Sequence, residues 1–232
     1  MDAPARGTTP APLTLYSYYR SSCSWRVRLA LELKGLAYEL QCINLLKGEQ
    51  DAPAYRALNA SGAVPALQTS NGHVLAQSAA ILEYLEEAYG ECGMVLLPVG
   101  DALLRAKVRE LVQIVVADCQ PLQNLRVLRC LSATVPVGGE AAAQDWARTF
   151  IARGLRAFEA ALPGDREGFC VGATVTLADV VLLPQLYNAR RFGIDVEGEF
   201  AGLWHVEQHV HATHGAACAR AHPDQQPDRP GA

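Results

Sequence analysis

The chain has 232 residues, 50% of them apolar and 19% charged, which is enough to bury a sizeable core as one large domain or two small ones. Its formal net charge of −4, with scattered Lys and Arg, leaves no basic stripe to neutralise a phosphate backbone and argues against nucleic acid as a partner. No apolar run approaches the roughly eighteen residues of a membrane span, and no basic region precedes an apolar core at the start, so the expectation is a soluble, cytoplasmic protein with a frayed N-terminus and no membrane partner.

Residues 13–19 (LTLYSYY) alternate and are aromatic-rich, which predicts a strand. The following WRVRLALELKG carries apolar residues at helical spacing up to a stop at Gly35. A second strand is expected over residues 37–44. VPALQ, then Ser70, Asn71 and Gly72, then HVLAQ form a hairpin signal, because Asn-Gly accepts the positive φ of a tight primed turn. SAAILEYLEEAYG reads as a helix ending at Gly90. The order β-α-β, loop, β-β-α predicts a mixed sheet with helices. Gly and Pro in residues 91–100 mark a linker, and the chain beyond it reads as helical.

In that second half Pro121 is expected to kink or break the helix that precedes it. Residues 135–140 (VPVGGE) read as a loop, followed by a helix near residues 141–162 that buries Trp146, Ile151, Leu155 and Phe158 on one stripe. Thr176 and Asp179 have the spacing of a capping box at a helix start. The polar, proline-rich tail from His222 is expected to be extended over the surface or disordered. The resulting division is a first domain over residues 11–92, a linker over 93–100, and a helical domain with an extended tail over 101–232.

The seven cysteines (Cys23, Cys42, Cys92, Cys119, Cys130, Cys170, Cys218) are odd in number, scattered and without a C-x-x-C pair. This pattern predicts reduced thiols, most of them acting as small buried hydrophobes. Cys23 alone sits in suggestive company, in SSCSWR at a strand-to-helix junction. There the hydroxyls and thiol of Ser21, Ser22 and Cys23 meet unpaired N–H groups and the positive end of a helix dipole, a place that stabilises an anion. The same residues also fit a plain N-cap with Cys23 packed inside. A P-loop is excluded by the missing glycine run and lysine, and a dithiol site by Arg26 at the second-cysteine position. Val64-Pro65, if cis, leaves the Val64 backbone open to a ligand, and Gln77-Ser78 starts a second helix with a second anion site. Together these features suit a short peptide with carboxylates.

LYSYYRSSCSWRVRLALELKG, LLKGEQ, VPAL, LAQSAAILEYLEE, QPLQNLRVL, TLADVVLLPQLYNARRF and QPDRP resemble the zeta class of glutathione transferases, from about Leu13 to the C-terminus. The SSCSWR segment is specific to that class, whereas VP and QS occur across glutathione transferases. The resemblance implies an α/β thioredoxin-like N-terminal domain followed by an all-α C-terminal domain, a cytosolic homodimer, and glutathione as cofactor. It further implies isomerisation of 4-maleylacetoacetate to 4-fumarylacetoacetate in phenylalanine and tyrosine breakdown, by reversible thiolate addition beside the cis double bond. Ser21 then donates a hydrogen bond to the glutathione sulfur, and Ser22 and Cys23 line the same pocket. The other implied glutathione contacts are Ser24, Trp25, Arg26, Gln50, Val64, Gln77 and Ser78, with Gln120, Asn124, Leu125 and Arg126 from the helical domain. Arg20 and Arg191 are the expected carboxylate forks for the substrate.

Two positions depart from the class pattern: Ala60 stands where proline is usual, and Arg126 where a small polar residue is common. His205 and His209, four apart and followed by His211 and His214, have the spacing of a metal pair, but the class pattern supplies no further ligand and a solvated helix is expected, with no metal. The competing readings are the same chemistry on maleylpyruvate, conjugation, dehalogenation or peroxidase activity as the main role, and a binding protein that has lost catalysis.

Overall fold

The computed structural model describes residues 12–231; the expected frayed N-terminus lies outside the described residues. The chain divides into two compact units, one comprising the residues up to Leu96 and those from His214 onward, the other Leu97–Thr213.

The first unit is a four-stranded sheet in the order β2-β1-β3-β4. β1 (Leu13–Ser17) alternates as expected, with Leu13 and Leu15 buried. It feeds α1 (Ser22–Leu33), which returns the chain to β2 (Tyr38–Cys42), parallel to β1. Gly35 (φ 63°) ends α1, its N–H reaching Glu32 O while Leu36 N reaches Leu31 O, a left-handed closure that glycine adopts without Cβ strain. A short α2 (Pro53–Leu58) leads to β3 (Ala66–Gln68), antiparallel to β1, then β4 (Val74–Ala76) and α3 (Ser78–Ala88). The hairpin is present, but its turn differs from the primed Asn-Gly turn expected. Thr69 N donates to His73 O across a three-residue loop, and only Gly72 (φ 85°) has positive φ. Asn71 instead accepts a hydrogen bond from the Thr69 hydroxyl, so the loop length selects one left-handed glycine rather than two left-handed residues.

The tail is neither disordered nor loosely extended. Gln226, 4% exposed, donates from Nε2 to Arg220 O (2.9 Å) and His222 O (3.0 Å). Asp228 accepts from Tyr19 N at 2.9 Å, and Arg220 pairs with Glu32. Gln226 and Asp228, polar residues that suggested a solvated tail, are spent on backbone groups of the first unit. Residues from His214 onward therefore belong with the sheet, whereas the expected division kept them with the helical domain.

The second unit is all helical. α4 (Ala102–Gln113) is capped by Asp101, widens into a π-helical segment over Ile114–Cys119, and passes to a 3-10 turn over Gln120–Gln123 that contains Pro121. The break expected at the proline thus begins before it. α5 (Leu125–Thr134) and α6 (Gly139–Ala161) come next. Gly154 of α6 faces the π segment, where a Cβ would lie 2.6 Å from that of Cys119. Ile151, Leu155 and Phe158 are fully buried, but Trp146 is half-buried, its indole N–H donating to Leu122 O at 2.9 Å. The amphipathic indole accounts for that edge position. α7 (Leu177–Arg191) opens on the complete capping box of Thr176 and Asp179. α8 (Val196–Glu199) and the part of α9 (Ala201–Ala221) before His214 complete the unit, α9 losing helical geometry at His214 (φ −126°, ψ 28°) where the first unit resumes. Among the described residues no helix is long and apolar enough to cross a membrane.

Candidate functional site

The first unit assembles most of the residues singled out above around two helix starts. At the first, Ser21 is the N-cap of α1 (φ −70°, ψ 114°), and its Oγ accepts from Ser24 N at 3.2 Å. That bond uses a lone pair and leaves the hydroxyl proton to be donated elsewhere, so the capping role and a donor role coexist in one side chain. Ser22 is buried and Cys23 half-buried in the first helical turn. Ser24 is wholly buried, its Oγ without a partner, and Trp25 packs edge-on against His222 at 5.0 Å. These two support the turn from beneath. Arg20 is half-exposed, its guanidinium 5.9 Å from the Tyr19 ring.

At the second helix start, Ser78 is the first residue of α3, and its Oγ accepts from Arg26 Nη1 at 3.1 Å. Arg26 is 1% exposed, and its Nε and Nη2 have no partner. A buried cation with spare donors behind a serine makes the start of α3 strongly attractive to a carboxylate. It also places Arg26 behind Ser78 rather than at the surface. Gln77 precedes it at φ 72°, the one non-glycine with positive φ among the described residues, and is exposed with no capping bond. Such a conformation costs about 1–3 kcal/mol and is held only where the surroundings dictate it.

Val64-Pro65 is cis, and Val64 packs with Tyr18 and Tyr55 in a small apolar cluster. Tyr55 Oη and Asn59 Nδ2 each donate to Ala63 O at 2.7 Å, which fixes the segment entering Val64. Because Ala66 pairs with Ala76, Val64 and Ser78 leave the same end of the hairpin, each two residues beyond that pair. Gln50 is bonded through Nε2 to Asp51 at 2.8 Å. At Ala60, the carbonyl accepts from Arg56 at 2.8 Å, so the loop is tied although proline is absent.

The second unit gathers the other candidates. Gln120 is buried at the start of the 3-10 turn. Asn124 caps α5 by accepting from Arg126 N at 3.2 Å, while Leu125 and Arg126 are exposed at the first turn. Arg191, at the end of α7, donates to Asn188 Oδ1 at 3.3 Å and is exposed. His205 is exposed, whereas His209 packs edge-on against Phe169 at 4.5 Å, so the pair does not share one environment.

Sequence reasoning missed Arg28 and Asp228. Arg28 is fully buried and donates to Ser17 Oγ, Tyr18 O, Tyr19 O and Ala221 O. Burial pulls its pKa down to about 10, opposed by charges including Asp228, and it remains a cation at neutral pH. Helical spacing could flag Arg28 only as an anomaly on a buried face, and nothing local ties Asp228 to the loop 209 residues earlier.

The sequence matches the family models described as Glutathione S-transferase, N-terminal domain, over residues 20–88, and Glutathione S-transferase, C-terminal domain, over residues 123–212. Probable maleylacetoacetate isomerase 2 of Drosophila melanogaster is 44% identical over 218 residues, covering 93% of this chain and 90% of that protein. A solved structure described as maleyl pyruvate isomerase, a bacterial glutathione S-transferase in the zeta class, is 42% identical with a TM-score of 0.83, covering 93% of this chain and 99% of that one. The chain belongs to the zeta class of glutathione S-transferases. Maleylacetoacetate isomerase from Anaeromyxobacter dehalogenans 2CP-1, solved with bound dicarboxyethyl glutathione and citrate in the active site, is 46% identical with a TM-score of 0.82, covering 97% and 96% of the two chains. The thioredoxin-like sheet unit and the all-α unit of this zeta-class transferase are those of the family.

Proposed function

We propose that this zeta-class transferase is a glutathione-dependent isomerase converting 4-maleylacetoacetate to 4-fumarylacetoacetate, a step of phenylalanine and tyrosine breakdown. The observation that carries the reading is Arg26, a buried cation that joins the starts of α1 and α3 through Ser78. Its charge behind Ser78, whose Oγ accepts from Arg26 and keeps its own proton to donate, fits the carboxylate end of a γ-glutamyl group. Bound glutathione supplies a thiolate that adds beside the cis double bond, allows rotation about what is then a single bond, and leaves as the trans double bond re-forms.

Ser21 donates its free proton to the sulfur and, with the N–H groups of the first turn of α1, lowers the thiol pKa. Ser22 and Cys23 shape the same corner, and Cys23 is not the nucleophile. Val64 offers its backbone to the cysteinyl group, while Gln77 and Ser78 hold the γ-glutamyl end with Arg26 behind them. Ser24 and Trp25 brace the turn, and Gln50, Gln120, Asn124, Leu125 and Arg126 add further glutathione contacts. Arg20 and Arg191 bind the two carboxylates of the substrate, a role supported by the dicarboxyethyl adduct in the Anaeromyxobacter relative. The same reading includes a homodimer and a cytoplasmic location, where the free cysteines remain reduced.

The test is isomerisation of maleylacetoacetate coupled to fumarylacetoacetate hydrolase, with and without glutathione, for the parent and for Ser21→Ala. Turnover is expected to require glutathione and to fall about a hundredfold on loss of the hydroxyl. The relation to maleyl pyruvate isomerase favours one rival substrate, and glutathione-dependent turnover of maleylpyruvate alone would replace the first reading.

A further inference from the structure

We propose that Asp228, in the C-terminal tail, is a positioning residue for the Ser21 hydroxyl and acts through the backbone of Tyr19; the inference rests on the role given to Ser21 above. Tyr19 N donates to Asp228 Oδ2 at 2.9 Å. Tyr19 O is held from the other side by Arg28 Nη2 at 3.0 Å, and Tyr18 O accepts from Arg28 Nη1 at 3.4 Å. One peptide group after another between β1 and α1 is thus clamped by a buried cation of α1 and an anion of the tail. Ser21 N donates to Tyr18 O at 3.0 Å, so the clamped segment is also the turn that sets the direction of the Ser21 side chain.

The tail reaches this position along a continuous set of anchors. Arg28 Nε donates to Ala221 O at 3.0 Å, His222 packs against Trp25, and Gln226 ties back to Arg220 and His222. The charged and titratable groups facing Asp228 are Arg28 of α1, Cys42 of β2 and Tyr18 of the clamped segment. The acceptors of Arg28 are Ser17 Oγ, Tyr18 O, Tyr19 O and Ala221 O and do not include the tail carboxylate, whereas the hydrogen-bond partner of Tyr19 N is Asp228. Loss of Asp228 therefore frees the N–H side of the segment while Arg28 keeps the chain folded. A hydroxyl shifted by a fraction of an ångström loses much of its hydrogen bond to a thiolate.

The experiment measures the apparent pKa of the glutathione thiol in the binary complex, from thiolate ultraviolet absorbance against pH, for the parent, Ser21→Ala, Asp228→Ala, Asp228→Ser, Asp228→Asn and Ser21→Ala/Asp228→Ala. Positioning predicts that Asp228→Ala and Asp228→Ser raise the thiol pKa by about one unit. Asp228→Asn, whose amide oxygen still accepts from Tyr19 N, stays near the parent. The double variant rises no further than Ser21→Ala alone, because the two residues act on one bond. If the Asp228 charge acted directly on the sulfur, removing it would lower the thiol pKa in the Ala, Ser and Asn variants alike. That result, or an unmoved pKa in a folded Ala or Ser variant while Ser21→Ala raises it, overturns the inference and leaves the reading of Ser21 standing. An unmoved pKa in Ser21→Ala overturns both.

Discussion

Ser78 receives a hydrogen bond from a guanidinium and therefore has its own proton to give. Serine hydroxyls at helix starts ordinarily rotate between accepting from their own backbone and donating outward. Here Arg26 fixes that choice, and its 1% exposure keeps water from screening the charge. Arg26→Met, which retains length without charge or donors, is expected to weaken glutathione binding about tenfold, the loss of a hydrogen bond to a charged group. Titration calorimetry with glutathione reads this directly. Arg26→Lys, which keeps the charge but loses the planar fork, is expected to fall between the two. Equal affinity of the Met variant and the parent would move the carboxylate away from the start of α3. Arg26 itself was legible in SSCSWR, but its place behind Ser78 was not. The sequence separation of 52 between the partners is bridged only once α1 and α3 pack together.

Elements whose cues are local were the most legible. The stop at Gly35 and the Thr176–Asp179 capping box each lie within one helical turn, and the structure forms both. The departures arise where a distant partner decides the outcome. The π segment over Ile114–Cys119 forms against Gly154, and Trp146 is drawn to the edge by the Leu122 carbonyl. The capping box also has a part no local pattern shows. Asp179, fully buried, accepts from Thr176 N (2.8 Å), from the Thr176 hydroxyl (2.9 Å) and from Cys170 N (2.8 Å). Burial pushes its carboxyl pKa up, opposed by these hydrogen bonds. Asp179→Ala leaves buried N–H groups of two residues without an acceptor, at about 1–3 kcal/mol each. A loss of about 3 kcal/mol in urea unfolding is expected, with Asp179→Asn losing less because one acceptor survives. A loss below about 1 kcal/mol in the Ala variant would mean that other groups take over the orphaned donors.

Over the whole molecule, the order of the sequence and the order of the units part company at His214, where the chain leaves the helical unit and returns to the sheet unit. Composition read the tail as a solvated end because Pro, Asp, Gln and Arg dominate it. Asp228 of that tail instead supplies the acceptor that the Tyr19 backbone requires, and just ahead of it Ala221 O and Arg220 serve the buried Arg28 and Glu32. A chain ended at Thr213 keeps all of the second unit and loses part of the first. The Arg28–Ala221 and Tyr19–Asp228 hydrogen bonds are then lost, each involving a charged group and each worth about 1.5–3 kcal/mol. At roughly 2–4 °C per kcal/mol for a protein of this size, the unfolding midpoint of the truncated chain is expected to fall by about 10 °C. Hydrogen exchange assigns that loss to its place. Amides of β1, α1 and β2 are expected to lose protection in the truncated chain, while those of α6 and α7 keep theirs. Protection lost equally in both sets would mean that the two units unfold as one, and that the tail stabilises the molecule as a whole rather than the sheet unit it completes.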